Sequence, residues 1–217
     1  ADDYSTRRFL PIAVYYSDLE LAKHLARREK DLNVRFGRQS RVFMPRFTSD
    51  SFTLIHIAVG RKDIEMVRFL VANGADPNID DGEGMTPLLM SLLEPEPSEE
   101  FSLALLALGV SVRTSASAAT TPLHRACRLG FGQLVRAILA RKPNINARDS
   151  RGRTPLHRAM MNIPLDEAMV LSLVAAGADT TAQIPEDTDS AFPGFTMLDL
   201  AQGAAVHSPK AAVKLAD

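Results

Sequence analysis

The sequence predicts an all-α fold: about six helix-turn-helix units stacked into a solenoid, with hairpin loops projecting between them. Three observations predict it. A short stretch opening on threonine recurs at Thr53, Thr86, Thr121, Thr154 and Thr196, with spacings of 33, 35, 33 and 42 residues. Three of these starts read Thr-Pro, at Thr86, Thr121 and Thr154. The hydroxyl can cap a helix and proline is tolerated at the first helical position. Apolar residues then follow at helical spacing, as Leu134, Val135, Ile138 and Leu139 do. One such unit cannot bury its apolar face alone. Several side by side can, which is why repeats come in arrays.

The units follow in order. The first, over 8–34, is a degenerate copy, "RFLPIAVYYSDLELAKHLARREKDLNV" from Arg8. Pro11 stands where other copies have histidine, so a helix is expected to start near it, and the unit reads as an N-terminal cap. An insertion rich in Arg and Phe, about 35–47, comes next. The second unit, over 53–80, places its second helix from about Asp63 to Ala72, with Ile64, Val67, Leu70 and Val71 on one face. Asn73-Gly74 supplies a helix end, and Ala75 to Asn78 reads as a turn. The third unit, over 86–113, is interrupted at 94–100 by "EPEPSEE". Its prolines and glutamates are expected to stay outside either helix. The fourth unit, over 121–148, has a first helix from Pro122 to about Leu129, broken by Gly130. The fifth covers 154–182 and is followed by an insertion over 183–195. The sixth, over 196–216, has Asp199 in the histidine position and a final helix capped by Ser208; it reads as a C-terminal cap. The whole chain, 1–217, reads as one repeat domain.

These units resemble the ankyrin family. The residues that carry the resemblance are Thr-Pro-Leu-His-x-Ala at 121–126 and 154–159, the near copy at 53–58, and the Gly-Ala-Asp turns at 74–76 and 177–179. The resemblance spans about residues 8–203. It implies a curved stack of antiparallel helix pairs whose loops project toward a concave binding face. It also implies that His56, His124 and His157 hold the turn of their own units by hydrogen bonds.

Composition narrows the function classes. Hydrophobic residues make up 46% and charged residues 24%, the balance of a globular chain rather than a disordered one. The longest apolar run is too short to span a bilayer, and no signal segment opens the chain. A single cysteine, Cys127, fits a reducing, intracellular compartment, cytoplasmic or nuclear. It occupies a position that takes a small residue in neighbouring units, and so reads as a buried inert thiol. The histidines fall one per repeat, without the spacing of metal ligands. "DGEGMTP" at 81–87 lacks the lysine of a phosphate-binding loop. No nucleophile–base pair stands out. The reading is therefore of a chain that is not an enzyme, with no cofactor, no metal and no small-molecule substrate.

The net charge of −1 conceals strong segregation. Residues 121–158 hold nine basic and one acidic side chain, while residues 47–120 hold four basic and eleven acidic. Such segregation points to a partner-facing surface. The residue after the repeated histidine position is Ile57, Met90, Arg125, Arg158 and Leu200 in successive units. Ankyrin-like stacking makes Arg125 and Arg158 neighbours on the concave side, about 8–10 Å apart. Arg128 shares the face of Arg125. The resemblance places Arg151 and Arg153 at a projecting loop tip, flanked by Arg148. Asp149 is the one acid nearby in sequence, so an acidic partner would relieve the repulsion. Guanidinium groups grip carboxylate or phosphate with paired hydrogen bonds. Apolar partner contacts are expected from Met85 and Phe52 at loop tips, and from Met90, Leu129 and Met161. The expected function is a protein-interaction module that binds an acidic, partly extended segment across units four and five. A regulatory or sensor domain of a larger protein is the alternative. Nucleic acid, bound by the same arginines and the 35–47 loop, is the lesser one.

Overall fold

The computed structural model describes residues 3–36, 51–93, 96–114, 120–162 and 164–183, with the backbone alone over 3–7. The sixth unit, residues 37–47 of the first insertion and residues 184–195 of the last lie outside these. The described residues form ten helices and no strand; Phe36 and Phe52 make an isolated antiparallel bridge. The structure divides into two compact units, residues 1–118 and 119–217.

The first compact unit holds three helical hairpins. They are α1 (Asp3–Tyr15) with α2 (Leu19–Ala26), α3 (Leu54–Gly60) with α4 (Ile64–Ala72), and α5 (Pro87–Ser91) with α6 (Glu99–Ala107). The first helices stack in sequence, α1 on α3 and α3 on α5, while α4 packs on α6. Their shared core includes Leu10, Val14, Ile57, Met66, Leu70, Leu88 and Leu105, all essentially fully buried. Each such side chain stabilises the stack by roughly 1.5–3 kcal/mol.

The second compact unit repeats the scheme with α7 (Pro122–Leu129), α8 (Gly132–Leu139), α9 (Pro155–Met160) and α10 (Glu167–Ala175). Here α7 packs on α8 and α9, and α10 packs on α8 and α9. Ala126 and Ala159, the last residues of the two Thr-Pro-Leu-His-Arg-Ala stretches, are buried to 0% and 1% exposure. A small side chain there lets α7 and α9 approach closely. Cys127 is fully buried in the same layer, and burial pushes its thiol pKa up, so the expected inert thiol is what the packing gives.

Short polar devices start and register the helices. Asp18, Asp63, Ser98 and Asp166 each cap a second helix, accepting the backbone N–H three residues on. Asparagines join consecutive hairpins within each compact unit. Asn33 Oδ1 accepts from Asp76 N–H at 2.6 Å, and Asn78 Oδ1 from Ser111 N–H at 2.6 Å. In the second compact unit Asn146 Oδ1 accepts from Asp179 N–H at 2.8 Å.

Two expectations about helix ends need correction. The first helix does not start near Pro11; it reaches back to Asp3 and carries Pro11 inside. A proline there forfeits one main-chain hydrogen bond without preventing the turns before it. Nor does all of "EPEPSEE" stay out of a helix. Glu99 and Glu100 form the first turn of α6 behind the Ser98 cap. Carboxylates in a first turn are favoured by the positive end of the helix dipole.

Candidate functional site

The repeated histidines build the frame of the site. The backbone N–H groups of Thr121 and Thr154 donate to Nδ1 of His124 and His157, at 3.3 and 3.1 Å. The opposite ring nitrogen reaches the next loop. His124 Nε2 lies 2.9 Å from the Arg153 carbonyl, and His157 Nε2 lies 3.1 Å from that of Ala182. A carbonyl only accepts, so Nε2 carries the proton and the ring is neutral. His56 does the same in the first compact unit, with Nε2 2.9 Å from the Met85 carbonyl. Burial lowers the pKa of all three rings. The histidines thus hold their own turns, as the resemblance implied, and also anchor the loop that follows.

That loop is organised by one buried carboxylate. Asp149 Oδ1 accepts the backbone N–H of Arg151 at 2.9 Å and of Arg153 at 3.0 Å. Asp149 N–H in turn donates to the Arg153 carbonyl at 2.9 Å. Its Oδ2 accepts from Arg158 Nε at 2.8 Å and pairs also with Arg158 Nη2. Arg153 Nε stands 3.6 Å from the same oxygen. Burial opposes ionisation of Asp149, but the two backbone donors and the Arg158 guanidinium outweigh it and hold the carboxyl below the usual range. Asp81 builds the matching loop in the first compact unit, accepting from Glu83 and Met85 N–H at 2.9 and 3.0 Å.

On this frame Arg125, Arg128, Arg151, Arg153 and Arg158 line one cleft of about 330 Å³, together with Thr120, His124 and Ser150. All these residues belong to the second compact unit, and none of them is acidic. The resemblance had put Arg125 beside Arg158 and Arg151 and Arg153 in the adjoining loop, and all five arginines line this cleft. Their roles divide, however. Arg151 is exposed at the loop tip, whereas Arg153 does not project as expected: it is 4% exposed. Asp149 and the His124 bond to its carbonyl turn it inward. Its Nη1 lies 3.9 Å from Met161 Sδ, and its Nε has no hydrogen-bond partner among the described residues. Burial and the neighbouring Arg158 charge push its pKa below the usual arginine value. Arg148 leaves the cleft and bonds the Gly152 and Gln183 carbonyls at 2.7 and 2.9 Å.

Of the apolar candidates in the second compact unit, Met161 meets the buried Arg153 through its sulfur, and Leu129 is not among the lining residues. Both are half-buried, Leu129 at the end of α7 and Met161 at the end of α9. Met85 and Met90 are half-buried in the first compact unit. Phe52 is not a loop-tip contact: it is 1% exposed, its ring 6.2 Å from that of Phe36, and its carbonyl accepts Phe36 N–H at 2.7 Å. An aromatic ring beside a chain pairing is driven inward by its own apolar area.

Sequence reasoning missed the part played by Asp149. A signal was present: Asp81 and Asp149 each stand five residues before a Thr-Pro. Three positions of that loop and helix then contrast the two copies. Glu83, Met85 and Met90 in one correspond to Arg151, Arg153 and Arg158 in the other. The loop forms with either set, so the arginines are not required by the scaffold.

Comparison with known proteins agrees with this architecture. Family models of ankyrin repeats match residues 45–88 and 98–184. The chain belongs to the ankyrin repeat family, whose repeats are general protein–protein interaction modules. Ankyrin repeat and SOCS box protein 16 of Homo sapiens is 30% identical over 82% of this chain and 38% of its own length. The B-cell lymphoma 3 protein homolog of Mus musculus is 34% identical over 61% of this chain and 30% of its own. The chain thus spans well under half the length of these relatives. An ankyrin repeat domain of Acinetobacter baumannii AYE, known as a crystal structure, superposes with a TM-score of 0.73 at 21% identity, covering 99% of this chain and 98% of that one. Among the described residues no helix is long and apolar enough to cross a membrane, and no group of three metal-ligating side chains occurs.

Proposed function

We propose that this chain is a non-catalytic interaction module that binds an acidic, partly extended segment of another protein on the concave face of its fourth and fifth units. The single observation that carries this reading is the convergence of five arginines on one cleft that no acidic side chain lines among the described residues. Like charges held together cost free energy, and an acidic partner relieves that cost. A membrane is not part of the proposal, and an intracellular location is.

The test is a triple change, Arg125→Ala, Arg128→Ala and Arg151→Ala. Arg158 is left in place because it also pairs with Asp149. Partner capture from an extract of the source organism should fall at least tenfold against wild type, with the thermal midpoint changed little. Undiminished capture would remove the site assignment.

A second reading is favoured by the relatives' length. One of them bears a name that joins ankyrin repeats to a SOCS box, and the match covers 38% of it. On that analogy the module is the recognition part of a larger regulatory protein, in which the same cleft selects the target.

A further inference from the structure

We propose that the arginine cleft selects a phosphorylated side chain, so that the bound segment is recognised when a serine or threonine in it carries a phosphate. The proposal rests on the acidic-segment reading and narrows it. Its first support is the donor set. Arg125, Arg128, Arg151 and Arg158 converge with a deeply buried Arg153 on one cleft, and Ser150 adds a hydroxyl at the loop. A carboxylate presents two oxygens and one charge. A phosphoryl group presents three oxygens and a charge of about −1.5 to −2, which suits several guanidinium forks at once.

The second support is Arg153 itself. A guanidinium 4% exposed, whose Nε stands 3.6 Å from Asp149 Oδ2 and makes no hydrogen bond among the described residues, is only partly compensated. Asp149 is already engaged: its Oδ1 takes two backbone N–H groups, and its Oδ2 takes Arg158. An incoming anion would meet donors that Asp149 does not fully satisfy.

Size and distribution favour a peptide over a nucleic acid. A cleft of about 330 Å³ lies at the low end of the roughly 300–1,000 Å³ of small-ligand sites, room for one side chain. A polynucleotide needs a track of cations and aromatic faces on which bases stack. Among the described residues the lining has no aromatic side chain, and the positions equivalent to Arg125 and Arg158 in the first compact unit are Ile57 and Met90.

The experiment titrates the full chain with three probes: a Gly-Ser-flanked phosphoserine heptapeptide, its glutamate counterpart, and a 15-nucleotide single-stranded RNA. Arginine side-chain Nε–H signals in 1H–15N spectra report the site, and calorimetry gives affinity. The expected result is that the phosphopeptide shifts the Arg153 signal and binds at least tenfold tighter than the glutamate peptide. Arg151→Ala, exposed and safe for folding, should weaken it severalfold. Arg153→Lys, which keeps the charge and loses the fork, should remove the phosphate preference. Equal affinity for both peptides overturns the phosphate selection and leaves the acidic-segment reading standing. No binding of either peptide, or tighter binding of the RNA with a steep salt dependence, overturns it as well.

Discussion

Asp149 shows how much one side chain can organise. Its two oxygens fold the loop through the N–H groups of Arg151 and Arg153 and hold Arg158 across from it. The side chain is 1% exposed, so its ionic partners lie in a medium that screens them poorly. Removing one member of such a pair leaves an uncompensated buried charge. Asp149→Ala should therefore cost about 3–5 kcal/mol in urea unfolding. A midpoint equal to wild type would refute this account of the loop. The ankyrin resemblance and the 33-residue period together placed Arg125 beside Arg158, Arg128 on the same helix face, and Arg151 and Arg153 in the loop before Thr154. The inward turn of Arg153 was not, because its direction depends on hydrogen bonds to Asp149 and His124 that no local pattern states.

Within the elements, the turn between the paired helices carries a recurring left-handed residue. Gly130 has φ of +73°, and the residue at the same place in earlier hairpins is Ser17 at +58° or Lys62 at +55°. Such a backbone costs an L side chain about 1 kcal/mol or more, and glycine avoids the cost. Gly130→Ala meets only Asn162 Nδ2, at 4.0 Å, so the penalty is conformational rather than steric. The variant should lose about 1 kcal/mol of stability, read as a lowered urea midpoint with an unchanged slope. An unchanged midpoint would mean the turn relaxes out of the left-handed region. The helix start at Pro122 was readable to the residue because Thr-Pro marks it, while the start expected at about Asp63 falls one residue later, at Ile64, with Asp63 as its cap. Starts were misread at Pro11 and at Glu99, where packing extends a helix past an unfavourable residue or draws a charged one into its first turn.

At the scale of the whole molecule, three neutral histidines make stability depend on pH. Burial lowers the folded-state pKa of His56, His124 and His157. The unfolded chain therefore takes up protons first as pH falls. The stability these rings contribute is complete above about pH 6.5 and is lost as pH drops below it toward their lower folded values. Protonated Nδ1 could no longer accept the Thr121 or Thr154 N–H, so each loss falls on a repeat start. The thermal midpoint should be lower at pH 5.5 than at pH 7.5. A profile flat across that window would count against neutral, buried rings.

The sequence by itself determined the repeat: its period, its helix starts where Thr-Pro marks them, its small and apolar stacking positions, and the placing of the arginines on successive units. Those features are local and periodic, and periodic chemistry can be read along a chain. Only the tertiary structure decided which arginines face solvent and which lie buried, that Phe52 packs on Phe36, and that Asp149 underlies the cleft. Each of these depends on contacts between residues of different elements, where burial and hydrogen-bond geometry outweigh what any one segment prefers.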